Sequence, residues 1–255
     1  MPMINVILSG ANGKMGKTVA GLLADMPEFS VCAGVDVYTA QYADFPIVEK
    51  PRQLPPGGDV IIDFSNPAAL LDLMPYAMEN KIPAVVCTTG LGNEHKSLLE
   101  AASKEIPVFF SANMSIGVSL LTELVQRATA VLGDGFDIEI IEKHHNRKLD
   151  APSGTAMAIA DAISEAAEGT KEYVYDRHSV RRPRGKQEIG IHAVRGGTIV
   201  GEHTVLFAGQ DEVISVQHSA GSRDIFAVGA IRAAAFIKDK PAGMYAMRDL
   251  VAAID

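Results

Sequence analysis

The stretch INVILSGANGKMGKT, residues 4–18, limits the fold more than any other part of the chain. An apolar, β-branched run stops at a turn holding Gly10, Gly13 and Gly16, then passes directly into a segment of helical period. A strand that enters a helix through glycines lets backbone N–H groups approach a pyrophosphate, and this spacing is a variant of the dinucleotide-binding fingerprint. Read from Ala11, the same letters give Ala-x-x-x-x-Gly16-Lys17-Thr18, one methyl group away from a triphosphate-cradling loop. Two ligand classes are open at this point.

Up to about residue 113, short β-branched runs alternate with helical segments, the pattern of βαβ units and a parallel sheet. The strands are INVILS, FSVCAGVD, DVIIDFS, PAVVCTT and PVFFSA, with helices expected near 14–25, 67–80 and 93–104. Pro27 closes the first helix and Pro67 opens the second. The segment PIVEKPRQLPPGG is proline-rich and reads as a connection without a buried element. After Asn113 the pattern changes: a helix over GVSLLTELVQRATAVLG, an alternating strand FDIEIIEKHH, a helix beginning at SGTAMAIADAIS, then strand-like runs near 188–195, 198–208 and 212–219. This second part reads as an α+β domain with a largely antiparallel sheet. The closing segment from DIFAVGAIRAAAFIK returns to helix and packs back on the first part. The expected architecture is α/β: a Rossmann-like, doubly wound parallel-sheet domain from residues 1–114 and 223–255, with residues 115–222 as an inserted α+β domain.

Charge and cysteine content exclude several function classes. A net charge of −8 disfavours nucleic acid, so an anionic ligand must be met by local positive clusters such as KHHNRK at 143–148. The cluster RRPRGK at 181–186 lies in a Pro/Gly-containing loop and reads as solvated. No apolar run approaches the ~20 residues needed to span a bilayer, and no basic flank and apolar leader is present, so a cytoplasmic protein without a membrane partner is expected. Cys32 and Cys87 lie in apolar strand-like runs and read as buried, reduced thiols.

A dinucleotide needs a carboxylate at the tip of the second strand, about 20 residues after the turn, to accept from ribose hydroxyls. Asp36 stands there. A triphosphate site would instead need an acid for Mg²⁺, for which Asp63 is the candidate, and would leave Gly10 and Gly13 without a role. The dinucleotide uses more of the sequence. Because Asp36-Val37 offers an acid and no cation to a 2′-phosphate, NADH is expected over NADPH, although Lys14 and Lys17 stand within reach of a phosphate.

The run EIIEKHHNRKLDAPSGTA, Glu139 to Ala156, carries the chemistry. Two imidazoles, a guanidinium and an ammonium cluster at a strand end, ahead of a helix start at Ser153-Gly154-Thr155. A helix N-terminus offers N–H groups and partial positive charge to a carboxylate, while Pro152 and Ser153 are also ordinary helix-starting residues. No further Cys or acid stands at zinc-ligand spacing, so no metal is expected, and the histidines fit acid/base chemistry beside an anion.

This run resembles the signature of the 4-hydroxy-tetrahydrodipicolinate (dihydrodipicolinate) reductase family. GANGKMG, DVIIDFSNP, CTTG, FSANMSIGV, GEHT and MRDL have counterparts in the same order over nearly the whole chain. The resemblance implies an NAD(P)H-dependent oxidoreductase of the diaminopimelate route to lysine, which reduces 4-hydroxy-tetrahydrodipicolinate to tetrahydrodipicolinate. It also implies a dinucleotide-binding domain interrupted by a substrate and tetramerisation domain, with a homotetramer as the assembly and a small cyclic dicarboxylate as the partner.

Carried onto this sequence, the resemblance makes His144 the proton donor and acceptor and Lys148 a second proton donor against the substrate. His145 contacts one substrate carboxylate, and Gly154 with Thr155 binds the other. Gly10, Ala11, Asn12, Gly13, Lys14 and Met15 correspond to the pyrophosphate contact and Asp36 to the ribose acid. Cys87, Thr88 and Thr89 match the loop holding the nicotinamide carboxamide. Ser111, Ala112, Asn113 and Met114 match the segment covering the ring at the domain hinge. Three positions depart from the family pattern: Cys87 where glycine is common, Met114 where an aromatic is frequent, and Asn66 in place of a frequent arginine. The remaining histidines, His95, His178, His192, His203 and His218, are expected to be structural or solvated. Two other classes stay open: a P-loop nucleotide hydrolase, and a redox-sensing binding protein that uses the nucleotide fold without turnover.

Overall fold

The structure is a computed structural model that describes residues 3–253. Residues 1–2 and 254–255, the outermost positions of the expected first domain, lie outside the described residues. The chain forms two compact units. One runs to Ile116 and resumes at Asp224, and the other is Gly117–Arg223. In chain order the first unit contributes β1 (Ile4–Ser9), α1 (Lys14–Ala24), β2 (Phe29–Val35), β3 (Ile47–Val48), β4 (Val60–Asp63), α2 (Pro67–Glu79), β5 (Ala84–Val86), α3 (Asn93–Ala102) and β6 (Pro107–Phe110). The second follows with α4 (Ile116–Leu132), β7 (Asp137–His144), α5 (Gly154–Ala166), β8 (Glu172–Val174), β9 (Glu188–Arg195), β10 (Gly201–Ala208) and β11 (Val213–Ala220). The chain then returns to the first unit through α6 (Asp224–Ile237), β12 (Gly243–Tyr245) and α7 (Met247–Val251).

The first unit is a Rossmann-like sheet with helices on both faces. Its strands lie in the order β3-β2-β1-β4-β5-β6-β12 and every pairing is parallel. A parallel neighbour requires a crossover, which the intervening helices supply. Strands covered on both sides are apolar at consecutive positions. Thus Leu8 of β1 and Ile62 of β4 pack with α1 and α6, while Ile7 and Ile61 pack with α2 and α3. The strand order reverses between β1 and β4, the switch point outside which ligands bind in such sheets. Two expectations are corrected. The proline-rich segment is not a bare connection: Ile47–Val48 pairs with β2 as an edge strand and Ile47 is buried, while Pro51–Gln53 forms a single 3-10 turn. The C-terminal segment is not all helix, because Gly243–Tyr245 adds a parallel edge strand beside β6. Edge strands this short need only a few β-compatible residues, too few to generate a period.

The second unit carries a mixed sheet in the order β11-β10-β7-β9-β8. Only β10 with β11 and β10 with β7 are antiparallel; β7 with β9 and β8 with β9 are parallel. The expectation of a largely antiparallel sheet is therefore corrected, and α5 is the reason: it makes the path from β7 to β9 a crossover. The glycine turn after β9 does not close a hairpin either. It crosses the end of β7, where Gly196 N–H donates to His144 O at 2.9 Å and Asn146 N–H donates to Gly197 O at 3.2 Å. The chain then resumes as β10 on the opposite edge of β7. One sheet face is covered by α4 and α5, where Val125, Ile159 and Ile163 pack on Ile140, Ile191 and Phe207. This crossing brings three strands together around the last residues of β7.

Candidate active site

In the first unit the three glycines of the turn do different work. Gly10 adopts φ +74°, and a Cβ there would lie 2.7 Å from Phe64 O, so only glycine lets β1 turn against the end of β4. A side chain on Gly16 would collide with the carbonyls of Gly10 and Ala11, which keeps α1 tight on the turn. Gly13 caps α1 without any side-chain hydrogen bond. The first-turn amides of a helix have no intrahelical partner, and here no side chain fills that place, the arrangement that accepts a phosphate. A cleft of about 220 Å³ opens at these strand ends, lined by Ser9, Gly10, Asp36, Phe64, Ser65 and Asn66 among others.

Asp36 reaches this cleft from the tip of β2. Its Oδ2 accepts from Asn12 N–H at 2.9 Å and its Oδ1 from Tyr38 N–H at 3.0 Å, which fixes the carboxylate toward the turn. The Asn12 side chain donates to Tyr38 O and Ala40 O, and Tyr42 O–H donates to Ala11 O at 2.9 Å, so the segment after β2 is strapped to the glycine turn. Asp63 is unsuited to a metal ion. It is fully buried, accepts Thr88 O–H at 2.6 Å and Ser65 O–H at 2.5 Å, and burial pushes its carboxyl above the usual range despite those hydroxyls and Ser9. The triphosphate alternative loses its Mg²⁺ ligand. Thr88 is committed to Asp63 through its hydroxyl, and Cys87 N–H donates to Asp63 O at 2.9 Å. Cys87 is a buried free thiol whose pKa burial pushes well up. Ser111 O–H donates to Asn113 O at 2.7 Å, closing a tight turn that Asn113 Oδ1 continues by accepting Ser115 N–H.

In the second unit the run 142–155 is a connected polar network. His144 ends β7, buried, with Nδ1 2.7 Å from Glu142 Oε2. Glu142 has no exposed surface and receives both guanidinium nitrogens of Arg195 at 2.7 Å and the Ser153 amide at 2.9 Å. Ser153 caps α5, its hydroxyl accepting from Ala156 N–H at 3.1 Å, and lies 3.0 Å from His203 Nε2. The His203 ring stands edge-on to His144 at 5.3 Å. Burial, reinforced by His144, lowers the His203 pKa to about 4. Lys148 Nζ pairs with Asp150 at 2.8 Å, Gly154 is exposed at the start of α5, and His145 Nδ1 is buried without a hydrogen-bond partner among the described residues.

His144, His145, Lys148, Gly154 and Thr155 thus lie on one loop-and-helix segment. Glu142, Arg195 and the closeness of His203 are not among the features the sequence singles out. Glu142 did leave a signal: it continues the inward phase of Ile138 and Ile140, so an acid was due in the core two residues before His144. Arg195 left none, because only the β7–β9 register brings it opposite His144.

Residues 4–114 match the family model for the dihydrodipicolinate reductase N-terminus and residues 117–251 that for its C-terminus. The chain is 53% identical over 249 residues to a 4-hydroxy-tetrahydrodipicolinate reductase of Caldanaerobacter subterraneus subsp. tengcongensis, covering 98% of each. It is 47% identical over 245 residues to the enzyme so named from Clostridium tetani, covering 96% of each. Its fold is similar to that of a dipicolinate-bound dihydrodipicolinate reductase from a Paenisporosarcina species, with a TM-score of 0.80 at 24% identity over 96% of this chain and 97% of that one. The chain belongs to the dihydrodipicolinate reductase family.

Proposed function

We propose that this protein is a nicotinamide-nucleotide-dependent reductase that converts 4-hydroxy-tetrahydrodipicolinate to tetrahydrodipicolinate, in the route to diaminopimelate and lysine. The reaction adds one hydride and one proton and releases the 4-hydroxyl as water. The observation that carries the reading is the Glu142 carboxylate that ties a buried imidazole, His144, to the N-terminus of α5, with the Lys148 ammonium in the loop between them. A cyclic dicarboxylate needs two separate anion contacts and one proton source, and this segment supplies all three.

The glycine turn fits a dinucleotide: the space that Cβ atoms on Gly10 and Gly16 would fill is closed to any other residue, and Gly13 leaves the first amides of α1 without a side-chain cap. Gly10, Ala11, Asn12, Gly13, Lys14 and Met15 hold the pyrophosphate and Asp36 the adenosine ribose. Cys87, Thr88 and Thr89, with Ser111, Ala112, Asn113 and Met114, hold the nicotinamide end. When bound, the reduced nicotinamide supplies the hydride. Asp36, next to the uncharged and exposed Val37 and Tyr38, favours NADH over NADPH.

In the second unit, Gly154 and Thr155 take one substrate carboxylate on the amides and hydroxyl at the start of α5. His145 takes the other. Its unpaired Nδ1 supports this role, since a buried polar atom without a partner calls for one. His144 gives a proton as negative charge develops on the ring, and Lys148 neutralises charge beside it and serves as a second donor. The proposed assembly is a cytoplasmic homotetramer. The sheet face opposite α4 and α5, where Ile141, Thr204 and Gln217 lie side by side, supports a sheet-to-sheet contact between copies. The direct test is the absorbance of NADH on adding the condensation product of pyruvate and aspartate semialdehyde. A substrate-dependent fall supports the reading; no change beside an active control enzyme rejects it.

A further inference from the structure

We infer that Glu142 is a positioning residue that decides which nitrogen of His144 exchanges a proton, with Arg195 fixing Glu142 in place. The inference rests on the reading of His144 as the acid. Glu142 and His144 occupy the helix-covered face of β7, in phase with Ile138 and Ile140. A buried carboxylate is costly unless its lone pairs are met. Here all four acceptor positions are used: Oε1 accepts from Ser153 N–H at 2.9 Å and Arg195 Nη2 at 2.7 Å, and Oε2 from Arg195 Nη1 and His144 Nδ1, both at 2.7 Å. Burial pushes this carboxyl up, but the hydrogen bonds from Arg195, His144 and Ser153 outweigh it and hold the group below its ordinary range.

An ionised carboxylate has no proton to give, so His144 Nδ1 must be the donor in this pair. Nε2 is then the exchanging atom. As hydride bonds to a ring carbon, the N–H bond at Nε2 of the imidazolium breaks, its electron pair stays on the ring, and the proton joins the substrate atom that carries the charge. The neutral Nδ1–H tautomer remains and regains its proton from water. Of the other titratable groups around the pair, Arg195 on β9 is bound to Glu142 and His203 on β10 is neutral, so neither takes the place of Glu142 at Nδ1, while Lys148 in the following loop is the second donor and is held by Asp150. The Glu142 carboxylate also holds the amide of Ser153, the cap of α5, so one group sets the acid and the anion-binding helix start in register.

The experiment combines imidazole ¹⁵N NMR with kinetics. In the wild type, the His144 resonances, assigned by their loss in His144→Gln, should show a protonated Nδ1 and an unprotonated Nε2 in the neutral form. The opposite tautomer overturns the inference without any need for a variant at Glu142 to fold. In kinetics, Glu142→Gln should lower kcat by about 100-fold, within the range of general acid catalysis, with KM changed far less. Added to His144→Gln it should cost less than about twofold more, because both act through one group. Full additivity overturns the inference. If His144→Gln keeps its turnover, the acid assignment falls. If only Glu142→Gln keeps it, the acid assignment stands and the positioning role falls.

Discussion

The ammonium of Lys148 lies 2.8 Å from the carboxylate of Asp150, so the cation assigned to the substrate is already paired with an acid from its own loop. The Lys148 hydrogen bond, with a smaller contribution from the Gly154 amide, holds the Asp150 carboxyl below its usual range. Asp150 therefore satisfies the same groups that the proposed binding mode gives to a substrate carboxylate. The pair is exposed on the acid side, and such pairs are worth about 0–1 kcal/mol, so displacement is cheap but not free. Asp150→Asn should tighten binding of a dicarboxylate inhibitor about two- to fivefold, with kcat little changed. Calorimetric titration checks this, and weaker binding would contradict it.

Gly201 opens β10 beside the nitrogen proposed to exchange the proton, and a Cβ there would stand 3.1 Å from His144 Nε2. The ring can yield by a few tenths of an ångström, which leaves the fold intact but misplaces the nitrogen. Gly201→Ala is expected to lower kcat by about tenfold, since small displacements of a catalytic group are costly, while thermal stability stays near the wild type. Unchanged turnover in Gly201→Ala would show that Nε2 does not need its present position.

His203 makes stability depend on pH. Its folded-state pKa is lowered to about 4, below the ordinary 6.5, so between these values the unfolded chain binds a proton that the folded chain refuses. Stability from this group is present above about 6.5 and is lost as pH falls toward 4. The shift corresponds to about 3 kcal/mol at most. Replacing His203 by Gln should flatten the pH dependence of urea midpoints over this window. An equally steep dependence in the variant would assign the effect elsewhere.

For the nucleotide, Asp36 is the group expected to discriminate. Wild-type enzyme should show a higher kcat/KM with NADH than with NADPH, and Asp36→Ala should weaken NADH use about tenfold while affecting NADPH less. The variant loses the carboxylate that holds the amides of Asn12 and Tyr38, so a general loss through a loosened loop is separated by measuring both nucleotides. A wild-type preference for NADPH would contradict the assignment.

The first unit was legible because its signals are local: Gly10 and Gly16 follow an apolar strand within a dozen residues, and Pro67 announces the start of α2, whose cap by Asn66 only the structure shows. The second sheet was legible as strands but not as a topology. Nothing near Gly196 tells a hairpin from a crossing over the end of β7, since both use the same turn residues and only the identity of the neighbouring strand differs. The same distinction governs the site. His144, His145 and Lys148 stand together in sequence, whereas Arg195 reaches Glu142 from 53 residues away, and His203 meets Ser153 across 50. A contact made by register leaves its trace in the fold, not in spacing.

Single-turnover oxidation of NADH by enzyme saturated with substrate, compared between wild type and His144→Gln, tests whether His144 is the proton source. A rate constant about 100- to 10,000-fold lower is expected in the variant, with substrate affinity changed far less, because the lost proton transfer belongs to the transition state. A variant that oxidises NADH at the wild-type rate would contradict it.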